Sequence, residues 1–220
     1  TSRDGRHRWL CARVPLDLRR WPETGLEVER LTAAGVDMLN ASGWYHTVAA
    51  PELASIRRLA PDVALYQELT HSAATMWFLT ERTGYGTVGH PRTWDTQFHT
   101  VANLAHARGA DGVSLFNFAY YRQRYRNFEW LGREPPFHVL PRLRDPGWLS
   151  RQSQHYWLGQ WNYHNQTTNR LLRTAQPRRF HFDVALPQVP VPETTRLRLH
   201  TAEPIVGELV AGFNGTGLAE

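Results

Sequence analysis

A chain of 220 residues with 41% hydrophobic and 20% charged residues carries enough apolar material for a core and excludes global disorder. Its net charge of +5 comes with 25 basic residues that are all Arg and are spread along the chain, which argues against a dedicated nucleic-acid surface. No apolar run reaches the roughly 18 residues needed to cross a membrane as a helix, and the single Cys11 excludes an internal disulfide framework.

In chain order, the first apolar run is Trp9-Leu10-Cys11-Ala12-Arg13-Val14-Pro15, which reads as a strand with Cys11 as a buried, inert thiol. Leu26, Val28, Leu31 and Ala34 then have helical spacing, and Gly35 is the expected stop. Val36 to Asn40 forms a second strand, followed by Ser42, Trp44 and Tyr45. Pro51 opens a helix that carries Leu53, Ile56 and Leu59 on one face and ends at Pro61. Asp62 to Leu69 is a third strand that reaches Gln67 and Glu68. A long insertion rich in Gly, Thr and aromatics follows, from about Thr70 to Arg92. Asp95 to Arg108 is a helix with Phe98, Val101, Leu104 and Ala105 inward, and Asp111 to Phe118 is the fourth strand.

Three times a helix end passes through a tight turn bearing Asp37, Asp62 or Asp111 into a nearly continuous apolar strand. Such strands belong to parallel sheets, and their alternation with helices implies βαβ units. A doubly wound sheet fits this alternation too. The polar and aromatic residues favour a (β/α)8 barrel, because they collect where strands end: Arg13 and Asp17, Asn40 and Trp44, Glu68 and His71, Asn117 and Tyr120. The three Asp at strand starts read as turn caps that satisfy backbone donors.

The expected organisation is therefore a partial barrel of about four βα units over 1–135. A connecting segment over 136–178 follows, with a closing helix from Leu149 to Leu158, and then the start of an antiparallel β-rich module over 179–220. Asn214-Gly215 is a strong hairpin signal within that module. Four units leave two sheet edges unpaired, so the missing N-terminal half of the barrel or a second chain is expected to complete it.

Arg13-Val14-Pro15, Gly35 to Ser42 and Gly109 to Phe118 together resemble the later barrel strands of the family 10-like glycosyl hydrolases, over roughly residues 8–120. The resemblance implies glycoside hydrolysis of a poly- or oligosaccharide with retaining-type carboxylate chemistry. It makes the four strands barrel strands 5–8, and places Glu68 at the nucleophile position and the acid/base on the absent half. A secreted or periplasmic setting is expected over a cytoplasmic one.

Hydrolysis of a glycosidic bond needs two flanking carboxyl groups, and the carboxylates at strand ends here are Asp17 and Glu68. Glu68 reads either as a nucleophile or as a structural ion-pair partner of Arg13. Arg13, Asn40, Trp44, Tyr45, His71, Asn117 and Tyr120 are the candidate sugar contacts, since aromatic platforms and polar tips suit saccharides. The cluster Arg122, Arg124 and Arg126 alternates with aromatics, as a single-strand nucleic-acid groove would, but reads more plainly as a solvated or substrate-facing loop. The eleven His include no i, i+4 pair, and Cys-x-x-Cys, the Ser elbow and Gly-rich phosphate loops are absent, so no metal or cofactor is expected. The competing class is a non-catalytic carbohydrate-binding protein or a degenerate barrel.

Overall fold

A computed structural model describes residues 4–43, 47–48, 52–72, 93–119, 135–157, 196–197, 206–208, 210–213 and 215–217. The chain divides into two compact units, Thr1–Pro187 and Gln188–Glu220.

The first unit is built on a four-stranded parallel sheet in the order β1 (Cys11–Pro15), β2 (Met38–Ser42), β3 (Ala64–Leu69) and β4 (Gly112–Leu115). Between β1 and β2 lie α1 (Arg20–Glu23) and α2 (Val28–Ala33). Helix α3 (Leu53–Leu59) precedes β3, and α4 (Asp95–Ala107) precedes β4. The sheet is in register as Arg13 beside Asn40, Asn40 beside Tyr66, and Glu68 beside Ser114.

The turns that launch β2 and β4 share one construction. Gly35 and Gly109 take left-handed φ values of 86° and 87°, as helix stops require. Each stop closes with a six-residue and a four-residue bond: Val36 N–H to Leu31 O and Gly35 N–H to Thr32 O, then Ala110 N–H to Ala105 O and Gly109 N–H to His106 O. The Asp two residues on then clasps the neighbouring strand. Asp37 N–H donates to Leu10 O at 2.9 Å, and Leu10 N–H returns to Asp37 Oδ2 at 2.7 Å. Asp111 repeats the ring with Leu65 at 2.8 Å in both directions. The turn-cap expectation holds for these two aspartates.

Alternation along each strand separates two faces. One carries Val14, Leu39, Ala41 and Leu65 against Trp21, Val28, Leu53 and Ile56 in one apolar core. A second cluster joins Leu69 to Phe98, Val101 and Ala102 of α4, and to Val139, Leu143 and Leu149. All four residues expected on the inner face of α4 are buried. The other face of the sheet carries Cys11, Arg13, Asn40, Tyr66, Glu68 and Ser114.

Three expectations are corrected. Cys11 is exposed, because among the described residues its side chain falls on the sheet face away from the apolar core and β1 has a strand on one side only. Leu59 is 43% exposed, since it ends the last turn of α3, while Leu53 and Ile56 are fully buried. The closing helix does not run from Leu149 to Leu158. A 3-10 segment (Phe137–Arg142) leads instead to a short α5 (Pro146–Leu149), capped by Asp145 accepting from Trp148 N–H at 2.9 Å. The Gln152 and Gln154 amides then donate to the carbonyls of Trp148 and Leu149, closing the helix end with side chains.

In the second unit, β5 (Gly212–Phe213) and β6 (Thr216–Gly217) pair antiparallel around Gly215 at φ 83°, which matches the hairpin expected at Asn214-Gly215. Described positions 196–197 and 206–208 are not in strands, and the other β runs expected there lie outside the described residues.

Candidate functional site

Glu68 is the penultimate residue of β3 and shares its face with Arg13 and Asn40, so the strand register alone brings the three together. Its carboxylate is the centre of a side-chain network. Arg13 grips it with two bonds, Nε to Oε2 and Nη2 to Oε1, both at 2.7 Å. Ser42 Oγ donates to Oε1 at 2.6 Å, and Asn40 Nδ2 donates to Oε2 at 3.2 Å. Arg13 Nη2 also reaches Ser42 Oγ at 2.9 Å. Ser114 Oγ donates to Asn40 Oδ1 at 2.6 Å, which turns the amide so that its NH2 faces Glu68. Strands β1, β2, β3 and β4 each contribute at least one member.

The Glu68 side chain is 4% exposed and that of Arg13 is 40% exposed. A buried carboxylate needs an ion partner and a full set of donors to offset its lost hydration. Glu68 has four donors, and the forked contact with Arg13 is the stronger, charge-assisted kind. Every contact donates to Glu68, so it acts as an acceptor in its carboxylate form. The Phe116 ring lies 4.5 Å from the Arg13 guanidinium carbon and supports its flat face.

The turns after β2 and β3 are tied together around this face. Thr47 Oγ1 donates to Thr70 O at 2.6 Å and accepts from Thr70 N–H at 2.8 Å, while Thr47 N–H reaches Ser72 O at 2.7 Å. Gln67, pointing the other way, donates to Val48 O at 2.7 Å. Thr93 adds a bond to Thr70 O.

The remaining candidates scatter. His71 is fully buried, stacked on Phe98 and tilted against Phe118, within the helix-side cluster. Asn117 is exposed two residues beyond β4, with a left-handed φ of 54°, the one positive φ at a non-glycine among the described residues. Trp44, Tyr45, Tyr120, Arg122, Arg124 and Arg126 lie outside the described residues. Asp17 forms a local clasp, its carboxylate oxygens meeting Arg19 Nε at 2.9 Å and Nη2 at 3.0 Å.

Sequence reading missed Ser42, Ser114 and Phe116. Their signal was parity: Ser42 stands two residues after Asn40, and Ser114 and Phe116 alternate with Val113 and Leu115. The same rule puts His71 in step with Leu65 and Leu69, away from Glu68.

Among the described residues, no group of three or more His, Cys, Asp or Glu is placed to hold a metal ion. No helix among them is long and apolar enough to cross a membrane. Comparison with family models and with curated proteins finds no match to this chain.

Proposed function

We propose that the polar face of this sheet is the saccharide site of a glycoside hydrolase-like protein, with Glu68 as its nucleophilic carboxylate. The observation that carries the reading is the Glu68 network: one carboxylate fixed by four side-chain donors on the face of a parallel sheet opposite its apolar core. An oxocarbenium-like transition state develops positive charge at the anomeric carbon, and a preorganised anion is the group that stabilises it. On this reading the four βα units are strands 5–8 of a (β/α)8 barrel, whose sites draw residues from several strands. β1 and β4 each have one strand neighbour among the described residues, so further strands from the preceding half of the barrel or from a second chain complete the ring. Glu68 is the one carboxylate among the strand residues of this face, so the acid/base comes from the completing half, roughly 5–5.5 Å from Glu68 if the reaction retains configuration.

A specific observation supports a second reading. At 4% exposure Glu68 sits beneath Arg13, so a non-catalytic saccharide-binding face, with Glu68 orienting Arg13, is the alternative.

The test is Glu68→Gln, assayed on a panel of poly- and oligosaccharides with the melting temperature measured alongside. A nucleophile so changed loses several orders of magnitude in turnover and still binds sugar. Turnover per folded molecule near the wild-type value ends the nucleophile assignment and leaves the binding reading.

A further inference from the structure

Three residues donate to Glu68, and the contact of Asn40 is the longest of them. Arg13 bonds both carboxylate oxygens at 2.7 Å and Ser42 bonds Oε1 at 2.6 Å, whereas Asn40 Nδ2 lies 3.2 Å from Oε2. The Asn40 amide serves Glu68 only with its NH2 inward, because turned over it sets Oδ1 against a carboxylate oxygen, acceptor against acceptor. Ser114 Oγ, donating to Oδ1 at 2.6 Å, holds the amide in the serving orientation. Among the described residues this is the one hydrogen bond of the Ser114 hydroxyl. Ser114 stands beside Glu68 in register on β4, yet its partner is on β2, two strands away. In a flat sheet such strands lie about 9.5 Å apart, beyond the combined reach of a Ser and an Asn side chain. The sheet therefore curls with this face inside, and the Ser114–Asn40 bond crosses over β3.

We propose that Ser114 is a positioning residue for the reaction of Glu68, acting through the Asn40 amide. The inference rests on the nucleophile reading above and adds a residue that does not itself bond the carboxylate. When Glu68 reacts, one of its oxygens forms a bond to the anomeric carbon while the bond from that carbon to the leaving oxygen breaks, and the leaving group departs with the electron pair. The reacting atoms must first come within about 3–3.5 Å and in line, so a carboxylate free to turn reacts more slowly. Without Ser114 the amide is free to rotate, and the 3.2 Å contact to Oε2 is the one that lapses.

The test is covalent labelling of the full chain with dinitrophenyl glycosides of the gluco, galacto, manno and xylo series in which fluorine replaces the hydroxyl beside the anomeric carbon. Dinitrophenolate leaves without taking a proton, so labelling requires the nucleophile but not the acid of the completing half. The fluorine slows hydrolysis of the glycosyl ester, which peptide mass spectrometry then locates. At least one series labels the wild type at Glu68. Ser114→Ala, with its melting temperature little changed, is labelled about tenfold more slowly at saturating probe, and the half-saturating probe concentration stays the same. Asn40→Ala is at least as slow, and adding Ser114→Ala to it slows labelling no further, because Ser114 acts only through the amide. Labelling of Ser114→Ala at the wild-type rate overturns the inference, as does a double variant slowed by the product of the two single losses. In both cases labelled Glu68 in the wild type leaves the nucleophile reading standing. If no probe labels Glu68 in the wild type, the nucleophile reading falls and the positioning inference falls with it.

Discussion

The Asp37 and Asp111 turns at the strand starts and the Glu68 network on the polar face each hold a carboxylate, but with different donors. Asp37 and Asp111 accept backbone N–H groups, those of Leu10 and Leu65, and thereby join one strand to the next. Glu68 accepts only from side chains, those of Arg13, Asn40 and Ser42. Removing an aspartate orphans main-chain donors of the sheet, whereas Glu68 and its partners can be removed together without touching the main chain. Carboxylates of the first kind define the fold, and one of the second kind is held without main-chain bonds.

The largest stability effect expected is that of breaking the polar network on one side only. Glu68→Leu leaves Arg13 beside an apolar group and costs about 3 kcal/mol, less than a fully buried pair because Arg13 is partly solvated. Asp111→Ala costs about 2 kcal/mol, the penalty of an unsatisfied Leu65 N–H together with the lost anchor for Arg57. Arg57 binds Asp111 Oδ2 at 2.6 Å and also donates to the carbonyls of Gly109, Ala60, Pro61 and Val63, so it staples α3 to two strand starts. Asp37→Ala repeats the experiment where the donor left behind, the Leu10 N–H, belongs to a residue 50% exposed and not to a buried one like Leu65, and costs about 1 kcal/mol because water takes over the orphaned donor. Chemical denaturation of the three variants gives the ranking. An Asp37→Ala loss as large as that of Glu68→Leu breaks the comparison.

A smaller effect comes from His99 on α4, whose ring meets Trp148 edge-on at 5.0 Å. Burial pushes this imidazole below its usual value of 6.5, outweighing the pull of Asp95. A depressed histidine contributes stability above its unfolded value, and that contribution is lost as pH falls through the folded value. Melting temperatures of the wild type therefore decline below about pH 6.5, and His99→Gln flattens that decline. The smallest effect is that of Asn117→Gly, which relieves a left-handed φ and changes stability by a few tenths of a kcal/mol. A fall in saccharide binding without a fall in melting temperature would mark the strained Asn117 as a ligand contact.

The sheet was legible because glycine stops, Asp turns and apolar strands repeat with a βαβ period, and Arg13, Asn40 and Glu68 meet because they share one face in register, although Arg13 and Asn40 stand in the middle of β1 and β2 and not at the strand ends where they were expected. What failed was the reading of faces. The run Trp9 to Val14 is apolar except for Arg13, yet β1 stands at the sheet edge as described, and alternate residues of it, Cys11 and Arg13, point away from the helices. A strand buried on both faces and one buried on a single face have similar compositions when the open face carries Cys, Met, Ser and Tyr. The extent of α5 was hidden for a local reason: Asp145-Pro146 opens the helix, and the Gln152 and Gln154 amides close it. Ser42 and Ser114 were readable from parity alone, but small hydroxyl residues in apolar strands carry no signal of their own until the register sets them beside a carboxylate.

The central claim is that the Arg13–Glu68 network serves a ligand and not the fold, and the double variant Arg13→Met with Glu68→Met tests it most directly. Replacing both members of an ion pair with apolar side chains of similar length is often close to neutral for stability. The melting temperature and the saccharide affinity of the double variant are measured side by side with the wild type. The account predicts a melting temperature within a few degrees of wild type, recovering the loss seen in Glu68→Leu, and saccharide binding below detection. A double variant that melts as early as Glu68→Leu, or one that binds saccharide as the wild type does, contradicts it.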